Sequence, residues 1–99
     1  MATVSPPPPL PDPPNGFAQE VQELVDATAP RLFAVVEEFG ICGLRDARVA
    51  AWGLAYEDGR ADVAAVNSGF RMSVVAPDRA ARFVSLRPGV LGSVVWPGA

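Results

Sequence analysis

Seven of the first fourteen residues are proline: Pro6 to Pro9, Pro11, Pro13 and Pro14. Such a run lacks the amide hydrogens of a helix or sheet, and its locked φ favours extended polyproline geometry. Residues 1–15 are therefore expected to be a disordered proline-rich tail, either a plain linker or a docking peptide for a reader of polyproline segments. The fold must come from residues 16–99 as one small α+β domain. At about 80 residues a single core gives marginal stability, and a partner chain often helps. With 49% hydrophobic residues, the chain has enough apolar material to form that core.

From Phe17 the pattern is helical. Phe17, Val21, Leu24, Val25 and Thr28 share one side of the wheel, with Glu20, Glu23 and Asp26 elsewhere. Asn15 suits an N-cap, and the early acids suit the positive end of the dipole. Pro30 interrupts, so the helix is expected to kink or restart there. Leu32, Phe33, Val35, Val36 and Phe39 then read as a second helical face, stopped by Gly40. Glu37 and Glu38 fall at its negative end, where only an arginine partner would explain them.

Arg48 to Tyr56 alternates, with Trp52, Leu54 and Tyr56 on one side and Ala51, Gly53 and Ala55 on the other. Asp58-Gly59 predicts a two-residue hairpin that pairs Leu54 with Val63 and Trp52 with Ala65. Ser68-Gly69 predicts a second, pairing Ala65 with Met72 and Val63 with Val74. In these registers Trp52, Leu54, Val63, Met72 and Val74 share the interior side, while Arg71 and Ser73 face away. Pro77-Asp78 opens a short helix, Pro88-Gly89 ends it, and residues 90–96 form a last strand. The expected fold is thus an N-terminal kinked helix or helix pair, a three-stranded antiparallel meander, a short helix and a final strand joining the sheet.

The missing chemistry is equally informative. All eight basic residues are arginine, there is no histidine, and Cys42 is the single cysteine. Imidazole bases, Schiff-base amines and the phosphate-loop lysine are absent, and Cys42 has no imidazole to activate it. Cys42 reads as a small buried residue, and Gly40 and Gly43 as helix-end punctuation. Asp58 belongs to a turn and Glu57 faces Arg60 across it, so neither joins Asp62 in a catalytic carboxylate pair. No catalytic residue, cofactor site or metal site is expected, and no small-molecule substrate is evident. An enzyme would need groups borrowed from a cofactor, a metal or another subunit. No segment approaches the roughly 20 apolar residues of a membrane span, and no signal-peptide pattern is present, so a cytoplasmic location is expected.

Two surfaces remain as candidates. Ala51, Gly53, Ala55, Ala64 and Val66 form a small, apolar sheet face that another helix or a second copy could approach closely. Arg71, Arg79 and Arg82 form a patch suited to an acidic partner. The chain carries a net charge of −3, which argues against nucleic acid. The charge is uneven: residues 1–42 hold six acids against Arg31, and residues 43–99 hold seven arginines against five acids. The two parts should attract each other, within one chain or between two. The expectation is a non-enzymatic protein-interaction or regulatory domain, homodimeric or bound to another protein. The alternative is a regulator whose arginine face contacts nucleic acid or an acidic protein.

Overall fold

The computed structural model describes residues 6–12 and 14–98. Residues 6–12 have no regular secondary structure and lie at the surface. The expected tail also takes in residues 1–5 and 13, which lie outside the described residues. The fold is α+β and, among the described residues, has two helices and five strands: α1 (Phe17–Thr28), β1 (Arg31–Ile41), β2 (Leu44–Ala55), β3 (Ala61–Ala65), β4 (Arg71–Val74), α2 (Pro77–Val84) and β5 (Val90–Val95). The strands form one antiparallel sheet in the order β4-β3-β2-β1-β5. Among the described residues no helix is long and apolar enough to cross a membrane.

Helices α1 and α2 and strand β5 lie where the periodicity places them, although Gly16 rather than Asn15 caps α1. The expected second helix is a correction, because residues 31–41 are the central strand. Pro30 ends the helical conformation, and Phe33, Val35, Val36, Phe39 and Ile41 are strand formers that pack well on a pleated surface. Strand β1 returns into β2 through Cys42-Gly43, both at positive φ (52° and 80°), with Ile41 opposite Leu44. That is a two-residue hairpin turn of the type favoured by strand twist. Cys42 is accordingly exposed at a loop tip rather than buried.

The β2–β3 register is the second correction. The loop has three residues, Glu57-Asp58-Gly59, closed by the Tyr56 amide donating to the Arg60 carbonyl at 2.8 Å. Gly59 takes φ 90°, and Asp58 Oδ1 accepts from the Arg60 amide at 2.9 Å. One extra loop residue slips the pairing by one, to Gly53–Val63, Leu54–Asp62 and Trp52–Ala64. Because side chains alternate, every residue of β3 changes sides relative to β2. Trp52 and Met72 therefore lie on opposite sides of the sheet. The β3–β4 connection is also longer than expected, with Val63 opposite Met72 and Ala61 opposite Val74. That shift is by two, so β3 and β4 keep the shared side assigned to them.

The core lies between α2 and one side of the sheet. Phe33, Val35, Ala51, Ala61 and Val63 meet Ala80 and Ala81 there, with Met72, Val74, Val94 and Trp96 at its margin. Gly53 belongs to this side: a Cβ at that position would enter the Phe33 ring. A bulge between Val35 and Val36 leaves Ala50 as the extra residue on β2. Its effect is to bring Arg48 onto the α2 side, opposite Glu37.

Candidate functional site

Residues at alternate positions face away from α2, and many of them are large and apolar. Leu32, Trp52 and Leu54 are 49%, 44% and 40% exposed, and Val36, Val49 and Val95 extend the same side. A shallow hollow of about 600 Å³ runs over Leu32, Trp52, Leu54, Tyr56, Ala64 and Arg71. An antiparallel sheet can leave one side to water, but that side normally alternates to polar residues. Here it does not.

One margin of the hollow is polar. The Tyr56 hydroxyl donates to Asp62 Oδ2 at 3.0 Å, and the Ser73 hydroxyl donates to Asp62 Oδ1 at 2.6 Å. The Ser73 bond, with the Tyr56 bond second, holds the Asp62 carboxyl below its usual range. The bond to Asp62 in turn raises Tyr56 above the ordinary phenol value. The two bonds orient Tyr56, Ser73 and Asp62 along this margin.

The other side of the sheet holds an ion cluster and a cleft. The buried Glu37 carboxylate pairs with Arg48 and, at 3.3 Å, with Arg87. Glu38 pairs with Arg45 at the surface. Both glutamates thus have arginine partners, although on a strand and not at the helix end the sequence suggests. Beside Glu37 a cleft of about 710 Å³ opens between the end of α2 and Ala51, Val63, Ala65 and Met72. Phe70 and Phe83 stack at its edge, with centroids 6.0 Å apart. Among the described residues no group of three or more metal-ligating side chains occurs.

The register divides both candidate surfaces read from the sequence. Ala51, Gly53 and Ala55 lie on the side that α2 covers, Ala64 lies on the open side beside Trp52, and Val66 lies in the β3–β4 connection. They do not form one face. Ala51 and Ala55 belong to the core under α2, Gly53 leaves room for the Phe33 ring, and α2 comes closest to the sheet at Gly92, where a Cβ would meet the Ala81 carbonyl. Arg71 borders the open hollow, whereas Arg79 and Arg82 are exposed on α2 across the sheet. The open side escaped the sequence reading because its large residues were assigned to the interior. The usable signal was the pairing of an Ala/Gly strand side with the Ala80-Ala81 step, which marks where a helix lies close. No protein-family model matches the chain, and no curated protein or solved structure matches it either.

Proposed function

We propose that the chain is a non-enzymatic protein-interaction domain that self-associates through the open side of its sheet. The observation that carries this reading is the run of apolar residues at outward positions of β1 and β2, above all Leu32, Trp52 and Leu54. A continuous apolar surface of that kind is costly to leave in water and marks a contact site. The small size of the domain points the same way, because a partner adds the burial that one thin core lacks. The alternative of a single arginine face loses support, since the sheet separates Arg71 from Arg79 and Arg82.

The test uses Trp52 as its own reporter. The chain has two tryptophans, so Trp96→Phe leaves Trp52 alone. At about 100 micromolar Trp52 should be shielded from acrylamide, and dilution to about 0.1 micromolar should expose it by mass action. Leu54→Lys should leave it exposed at every concentration. Full exposure of Trp52 throughout, without that substitution, overturns the reading.

A further inference from the structure

We infer that α1 is exchanged between two copies, each helix lying across the open sheet side of the other. The inference rests on the proposed self-association and names what fills the contact. Helix α1 has twelve residues and no buried side chain. Helices of about 12–15 residues or fewer are marginal alone in water and hold only when an apolar stripe is covered. Phe17, Val21, Leu24 and Val25 form such a stripe, and all four are exposed. The helix has little of its own to compensate. No side chain caps its N-terminus, and two Gln-to-carboxylate bonds, Gln19–Glu23 and Gln22–Asp26, span single turns.

The linker decides which copy supplies the cover. Only Ala29 and Pro30 separate α1 from β1. Ala29 is extended (φ −61°, ψ 127°), and a residue before proline is sterically kept from the helical region. Pro30 has its own φ fixed. With Ala29 extended and Pro30 unable to continue the helix, the two-residue linker does not bring α1 back onto the sheet that follows it. Among the described residues α1 forms no packed interface with the sheet or with α2. Helix α1 therefore points away from its own sheet and toward the equivalent surface of a second molecule, and short, stiff hinges favour that exchange.

Charge agrees. Helix α1 carries Glu20, Glu23 and Asp26 and no base. Among the described residues Arg71, at the margin of the hollow, has no ion-pair partner. A two-fold pair satisfies both helices and both sheet sides at once and leaves no open end.

The test is sedimentation of the full chain and of two variants. The native chain should run at twice its 10.4 kDa mass. Leu24→Glu damages the helix, Trp52→Glu damages the receiving side, and each alone should weaken association at least about 30-fold. Mixed together they should associate again, because one intact helix still meets one intact sheet side. Leu54→Lys replaces Trp52→Glu should the latter fail to fold. A native monomer, or a mixture that stays monomeric, overturns the exchange. Dimers that survive Leu24→Glu but not Trp52→Glu also overturn it, while leaving the open side as the contact. Dimers unaffected by either variant remove both readings.

Discussion

The two sides of this sheet are made of the same strands and solve opposite problems. Under α2 the sheet presents Ala51, Gly53 and Ala61 around the fully buried Phe33 and Val35, and the helix answers with Ala80 and Ala81. Small residues let a helix backbone come close, and one aromatic ring fills the remaining space. On the other side Leu32, Trp52 and Leu54 stand up from the strands and, among the described residues, no helix covers them. The covered side has its second layer in α2, with an apolar cleft left open past the helix end. The open side has the content of a core without its second layer, which is why its size and hydrophobicity read as a contact surface.

Truncation is the most forceful way to break this contrast. Phe33→Ala removes a ring at 0% exposure that packs on Trp96 at 5.3 Å, and it should cost about 3–5 kcal/mol of stability. Leu54→Ser, on the open side, should change monomer stability by no more than about 1 kcal/mol while abolishing association. Denaturant unfolding of both variants, at a concentration where each is monomeric, separates the two roles. Equal losses at both positions would mean that the open side is part of the monomer's own core.

A medium-sized effect belongs to Glu37, which the β2 bulge brings together with Arg48. Its carboxylate is buried, but the Arg48 and Arg87 side chains are 53% and 62% exposed. Solvent therefore screens much of the attraction, and Glu37→Ala should cost about 1–2 kcal/mol, well below a fully buried pair. Association should be unchanged, because the cluster lies on the α2 side. A Glu37→Ala chain that unfolds normally but fails to self-associate would show that the two sides are coupled.

What could be read from the chain, and what could not, follows the same division. The stripe of α1, the Pro77 start of α2 and the strand alternation of β2 are each decided by local periodicity, and they were legible. Residues 31–41 were not, because Phe33, Val35, Val36 and Phe39 satisfy a helical and an extended pattern alike. Cys42-Gly43 is also a weaker turn signal than Asn-Gly. The sheet register failed for a sharper reason. Asp58-Gly59 serves a two-residue turn or the end of a three-residue one, and a single residue of loop length moves Trp52 from inside to outside. The candidate contact surface depends on that one residue. Of the residues read as interior, Val63, Met72 and Val74 stay there, Trp52 and Leu54 move to the open side, and Leu32 and Val36 join them from a segment read as helix.

The smallest expected effect probes the polar margin of the open side. Asp62 is held below its usual range, so its contribution is present above the unfolded carboxyl value and fades as pH falls through the folded one. Tyr56 is raised, so its contribution is present below the unfolded phenol value and fades as pH rises through the folded one. The Tyr56–Asp62 bond thus holds over the middle of the pH range and is lost from both ends. Ser73→Ala removes the first cause of the Asp62 shift, so the carboxyl should titrate closer to an ordinary aspartate. Because both groups are open to solvent, overall stability should hardly move, and carboxyl NMR titration is the measurement that resolves it. If the trio also fixes the rim on which a second copy rests, Ser73→Ala should weaken association slightly at neutral pH, and far less than Leu54→Ser does. An Asp62 titration unchanged by Ser73→Ala would mean that the Tyr56 bond alone holds the carboxylate, and that the serine has no part in shaping that edge.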